Sequence, residues 1–140
     1  MTPVSVAYDT LDSAAVAAEQ SCEDMSWHSG YEFGGVLLER DGKFYYSIAQ
    51  TSRNTAHIEI RYSFTTDYHF AGLYHTHPGN PGEEYTRWFS DADTRAADVH
   101  HVVSYIGIQY EHGAVRKYIP GVTRHENGLQ GHIALGEIVK

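Results

Sequence analysis

Asp41-Gly42 stands between two apolar segments, Val36-Leu37-Leu38 and Phe44-Tyr45-Tyr46, and this dipeptide restricts the fold more than any other stretch of the chain. A type I′ turn needs positive φ at both central residues, which Asp-Gly accepts readily. Residues 32–49 are therefore predicted to form a β-hairpin, with strands over 32–40 and 43–49. Gly34-Gly35 is unusual inside the first strand. It marks either a bulge or tight packing against a helix, or else backbone left open to a ligand.

The rest of the chain arranges itself around this hairpin. Residues 11–23 are rich in strong helix formers and predict a helix capped by Thr10 or Asp12, ending before Trp27-His28-Ser29-Gly30. Residues 54–64 alternate in part and read as a third strand or a long excursion. Residues 68–77 read as a strand, 78–85 as a loop, and 90–103 as a helix. Two more strands, 104–110 and 115–119, pair across Glu111-His112-Gly113, and a short one lies near 132–139. The expectation is one domain over residues 1–140, of mixed α/β (α+β) class, with a curved sheet and helices packed on it.

Composition narrows the function classes. Apolar residues make up 41% and charged residues 20%, as in an ordinary globular domain. At 140 residues the chain can bury a core without a metal staple, so a metal here would be functional. The net charge of −8 argues against nucleic acid and gives no support to an anionic membrane surface. No apolar run reaches the ~18 residues of a membrane span, and the N-terminus lacks a signal-peptide pattern, so the expected location is cytoplasmic. Cys22 is the only cysteine, which excludes an intrachain disulfide, and it reads as a buried inert thiol.

The chemistry resides in His75-Thr76-His77-Pro78 and Ser90-Asp91-Ala92-Asp93. Histidines two apart on a strand share a face, with Cβ atoms ~6–7 Å apart, which suits two bonds converging on one ion. Thr76 would face away. Ser90 and Asp93 open a helix, where Ser-x-x-acid forms a capping box. The same placement holds a carboxylate rigidly beside the histidines; a ligating Asp93 would have less left for capping, with Ser90 then capping alone. Three protein ligands with an open fourth position mark a catalytic zinc site. Glu32, at the start of the hairpin, is a candidate base near a bound water.

In this order, Glu32 in Tyr31-Glu32-Phe33-Gly34-Gly35, His75-Thr76-His77-Pro78 and Ser90-Asp91-Ala92-Asp93 resemble the JAB/MPN (JAMM) metallopeptidase family. The match spans roughly residues 32–110, and its details look most like a bacterial JAB-like branch sometimes associated with polymorphic toxins. The resemblance implies a β-sheet core flanked by helices, related to cytidine deaminases. It implies that His75, His77 and Asp93 ligate one Zn²⁺ per chain, that Glu32 is the general base, and that Ser90 stabilises the oxyanion. The chain departs from the family in the gap of residues 79–89 before Ser90, which is longer than the usual spacing. That loop carries Tyr85 and Trp88, which as exposed aromatics would contact substrate; Trp88 and Phe89 could equally anchor the helix.

The implied activity is hydrolysis of a peptide or isopeptide bond in a protein or peptide substrate, including a ubiquitin-like one, by metal-activated water. Two alternatives stand beside it. One is a catalytically silent MPN-type binding module. The other is a cupin-type metal barrel with Glu83 or Glu84 as the acidic ligand. Oligomeric state leaves no mark in the sequence.

Overall fold

The computed structural model describes residues 1–80, 82–128 and 131–140; Pro81, within the expected loop, lies outside them. Helix α1 spans Leu11–Ser29. The Thr10 side chain accepts the Ser13 amide at its N-terminus, and the choice between Thr10 and Asp12 falls to Thr10. The helix runs through Trp27 and His28, which the sequence reading had given to a turn. The stop is Gly30, in the left-handed region at φ 77°, whose amide reaches the Ser26 carbonyl.

The hairpin forms as β1 (Phe33–Arg40) and β2 (Lys43–Tyr46), with Asp41 and Gly42 both at positive φ. The return strand is shorter than predicted. At Ser47 the chain bends away, the Ser47 hydroxyl accepting the Val36 amide at 2.9 Å, and pairing with β1 resumes as β3 (Gln50–Thr51). Residues 54–64 form no strand and run as a long excursion. Next come β4 (His69–His77), a short 3₁₀ helix (Glu84–Arg87) and α2 (Asp91–His100). The chain continues as β5 (Val103–Ile108) and β6 (Ala114–Tyr118). The single final strand expected near 132–139 is two: β8 (Gly131–Ile133) pairs with β7 (Glu126–Gly128), while β9 (Glu137–Ile138) pairs with β6.

The main sheet has the order β2-β1-β4-β5-β6-β9, with β3 beside β1. Among the described residues only β4 and β5 pair in parallel, and α2 lies in the crossover that a parallel pair requires. The protein is thus a mixed α/β domain with a mixed sheet and two helices, one on each face. Ala14, Ala15, Ala18 and Cys22 of α1 are fully buried against Leu37, Tyr74, Tyr105 and Val115. Their small side chains bring the helix close to the sheet. On the other face Ala97 of α2 packs with Phe89, Ile106, Ile108 and Tyr118. Among the described residues, no helix is long and apolar enough to cross a membrane.

Alternation along β4 decides which face carries the chemistry. Tyr74 and Thr76 point to α1; His75 and His77 point to α2. Thr76 is fixed by a relay in which the Phe33 amide donates to its hydroxyl at 2.9 Å and the Ser26 hydroxyl lies 2.6 Å away. Ser26 in turn donates to the Tyr31 carbonyl. The residue between the two histidines is therefore locked to helix and neighbouring strand, which leaves their common face no freedom to rotate.

Candidate metal centre

His75 and His77 lie at the C-terminal end of β4, next to the parallel partner β5, and both are buried, with exposures of 7% and 9%. The C-terminal end of a parallel strand is where α/β folds gather ligands, because the following helix starts there. Asp93 comes from the first turn of α2. Its two oxygens divide between the histidines: Oδ1 is 3.1 Å from His75 Nε2 and Oδ2 is 3.2 Å from His77 Nε2. The two Nε2 atoms are 3.0 Å apart. Four ligands on tetrahedral zinc, at bonds of ~2.0–2.1 Å, sit about 3.3–3.4 Å from one another. The two histidine nitrogens, and each with its nearer Asp93 oxygen, stand close to that spacing; one ligand atom from each residue lies within 4.8 Å of the others, and the group can hold a metal ion.

The outer partners fit the same purpose. His77 Nδ1 lies 2.7 Å from the Thr86 carbonyl oxygen, so Nδ1 carries the proton and donates it, leaving the Nε2 lone pair for the metal. Thr86 belongs to the 3₁₀ helix of the long loop. The long loop before Ser90 does not carry Asp93 away from the histidines; its Thr86 carbonyl is the partner that orients His77.

Asp93 also caps its own helix. Its Oδ2 accepts the Ser90 amide at 2.9 Å, and Ser90 Oγ accepts the Asp93 amide at 3.2 Å. The capping box is present in full, so Asp93 caps the helix together with Ser90 rather than leaving Ser90 to cap alone. The reciprocal cap engages Oδ2, Oδ1 remains for His75, and a carboxylate oxygen has lone pairs enough for an amide and a metal. Burial opposes charge on His75, but the Asp93 carboxylate beside it prevails and lifts its pKa to about 9. Burial would raise Asp93, yet the facing histidines hold it well below the usual carboxylate range. Without metal the cluster is an imidazolium–carboxylate pair, and a cation entering it takes the proton's place.

Glu32 precedes β1. Gly34 pairs with His75 in antiparallel register, so continuing that register by two residues sets Glu32 opposite His77 and on the same face. It is buried, at 8% exposure, and burial raises its carboxyl pKa, while His75 and His77 pull the other way. The two glycines after it answer the alternatives left by the sequence. A Cβ on Gly34 would come within 2.3 Å of the Tyr74 carbonyl oxygen and 2.7 Å of His75 Cβ. One on Gly35 would meet the Ser47 hydroxyl and the Tyr74 ring. The glycines serve close packing, and the surface they pack on is β4 and its surroundings rather than a helix.

Two clefts flank the centre, and Glu32, Ser90 and Asp93 line both. The larger, of about 380 Å³, runs under the 54–64 excursion. The smaller, of about 160 Å³, is bounded by Pro78, Thr86, Tyr85 and Trp88. Tyr85 is exposed and Trp88 partly so, and both line the smaller cleft. Phe89 is the anchor: it is fully buried, packs at a tilt against the Tyr118 ring with centroids 5.7 Å apart, and bridges to Ala134.

Two contributors escaped the sequence reading. The Thr86 carbonyl is backbone, which no residue type announces. The excursion wall was visible only as the alternation of Ile58, Ile60 and Tyr62, a signal that favours a strand. Neither a protein-family model nor a curated protein matches the chain.

Proposed function

We propose that this protein is a zinc metallopeptidase or isopeptidase of JAMM type, hydrolysing a peptide or isopeptide bond in a protein or peptide substrate. The observation that carries the proposal is the convergence of His75, His77 and Asp93, with the two Nε2 atoms 3.0 Å apart and each 3.1 or 3.2 Å from an Asp93 oxygen, beside two clefts that share Glu32 and Ser90. Two nitrogens and one oxygen from protein suit zinc with an open position. Zinc held there would lower the pKa of a water toward ~7 and polarise the scissile carbonyl.

The chain's own residues supply the remainder. Glu32 is not among the ligands, and its raised carboxyl pKa makes it a better proton acceptor than a solvated glutamate. It takes the proton from the attacking water and passes it to the leaving amine. Ser90 Oγ already accepts the Asp93 amide, so its own hydrogen is available for the oxyanion. Removing a donor of that kind costs ~3 kcal/mol of transition-state stabilisation. No side-chain nucleophile is required, and Cys22, fully buried with its thiol pKa pushed up by burial, is no rival. The open mixed sheet, with a parallel pair and a helical crossover, differs from the antiparallel double sheet of a cupin.

The test is metal analysis of wild type, His77→Ala and Glu32→Gln, followed by a peptide and isopeptide cleavage screen. Wild type is expected to hold one zinc per chain and to cleave. His77→Ala should lose zinc, and Glu32→Gln should keep zinc but lose turnover. Zinc loss in Glu32→Gln with retention in His77→Ala would reverse the assigned roles. A zinc-loaded wild type that cleaves nothing would favour the binding-module alternative.

A further inference from the structure

We infer that the larger cleft selects a bulky apolar side chain next to the scissile bond, so that the substrate is a peptide with Leu, Ile, Met or an aromatic residue there rather than a glycine-terminated tail. The inference rests on the metallopeptidase reading above and gives that site a substrate class. The cleft is walled by Ile58, Ile60 and Tyr62 from the excursion and by Val36, Phe70 and Leu73 from the sheet. It opens directly onto the metal cluster, since His75, Asp93, Glu32 and Ser90 form its inner end. A substrate with its carbonyl beside these residues has this cleft as the larger and more apolar space for a flanking side chain.

A glycine there would leave the apolar part of a cleft of about 380 Å³ in contact with water, whereas a branched or aromatic side chain removes that surface from solvent. The wall is also held in place before any ligand arrives. Gln50 grips the excursion by both ends of its amide: Nε2 donates to the Arg61 carbonyl at 2.6 Å, and Oε1 accepts the Arg61 amide at 3.0 Å. Tyr62 stacks on Phe64 at 5.4 Å and leans on Phe70 at 5.9 Å. A wall tied at its backbone and by its aromatic rings forfeits little entropy on binding, which is what preorganisation requires. The smaller cleft, polar-rimmed and edged by Pro78 and Thr86, has no comparable apolar depth.

Binding of zinc-directed probes separates this inference from catalysis. Acetohydroxamate, isocaproic hydroxamate and hydrocinnamic hydroxamate share one metal-binding head and differ only in the apolar group. Each is titrated calorimetrically into zinc-loaded wild type and into Ile58→Ser and Ile60→Ser. The two bulky probes should bind at least ~10-fold more tightly than acetohydroxamate to wild type. That advantage should shrink in both variants while acetohydroxamate affinity stays level. Peptide-library profiling should then show bulky apolar residues enriched at one position beside the cut. Equal affinity for all three probes, or an advantage the variants leave intact, overturns the inference while the zinc-site reading stands. A wild type that takes up no zinc overturns the function reading itself, and the inference falls with it.

Discussion

His77 Nδ1 lies 2.7 Å from the carbonyl oxygen of Thr86, which ties a metal-facing imidazole to a loop that follows it in sequence. Thr86 is itself set by Gly79: a Cβ at that glycine would stand 2.8 Å from Thr86 Cγ2 and 2.9 Å from Thr86 Oγ1. Gly79→Val should push Thr86 off His77 and release the tautomer and ring orientation. Loss of such an outer partner typically lowers metal affinity 10–100-fold. Chelator competition measures this directly, with far-ultraviolet circular dichroism showing that the fold is kept. An unchanged zinc affinity in a folded Gly79→Val protein would mean that the Thr86 carbonyl does not orient the ligand.

The double duty of Asp93 separates by substitution. Asparagine keeps an oxygen to accept the Ser90 amide, so Asp93→Asn should retain most of the α2 cap while losing the charge that holds a cation. Alanine removes both, costing about 1 kcal/mol of stability in the cap as well as the metal. Zinc content should fall in both variants; the metal-free melting temperature should fall in both through loss of the His75 ion pair, and further in Asp93→Ala, which also loses the cap. Equal metal-free melting temperatures would show that the capping bond contributes nothing to stability.

Gly34 is opposed to His75 across the β1–β4 ladder with no room for a side chain. Its nearest obstacle is backbone, the Tyr74 carbonyl oxygen, which cannot rotate away. Gly34→Ala should therefore force the strands apart at the point where His75 is held. A loss of roughly 1–3 kcal/mol is the scale for overpacking of this kind. The stability loss should come with weaker zinc binding, since the displaced residue is one of the three that could hold the ion. Denaturant melts and zinc titration on the same variant check both; a variant as stable as wild type and with full zinc affinity would show that the ladder tolerates the separation.

How far the sequence disclosed this structure depended on whether the signal was local. Asp41-Gly42 dictated a turn by its own dihedral preferences, and the hairpin followed. His75, Thr76 and His77 declared opposite faces because strand alternation is local, and Ser90 with Asp93 declared a helix start. The extent of α1 was missed because Trp27 and His28 carry no strong stop signal; the stop is Gly30, whose positive φ only the structure reveals. Gly34-Gly35 was ambiguous for the opposite reason: the crowding comes from Tyr74 and His75, some forty positions away. The hydrogen-bond partner of His77 is a carbonyl, which every residue has, so only tertiary placement could identify it.

Glu19 gives the protein a pH dependence that is independent of the metal centre. It sits on α1 at 0% exposure, over Gly107, and neither carboxyl oxygen has a hydrogen-bond partner among the described residues. Burial holds its pKa well above the ordinary carboxylate range, and Glu23 pushes the same way. The folded state therefore keeps a proton that the unfolded chain releases near its ordinary value of about 4.3. The contribution to stability is full below that value and is lost as pH climbs toward the raised folded pKa. Glu19→Gln retains the shape without the proton and should abolish that loss. Its stability relative to wild type should rise with pH, by up to about 1.4 kcal/mol per pH unit within the window. Urea melts of both proteins from about pH 5 to about pH 8 measure the divergence. Curves that stay parallel across that range would show that Glu19 is not the group holding the proton.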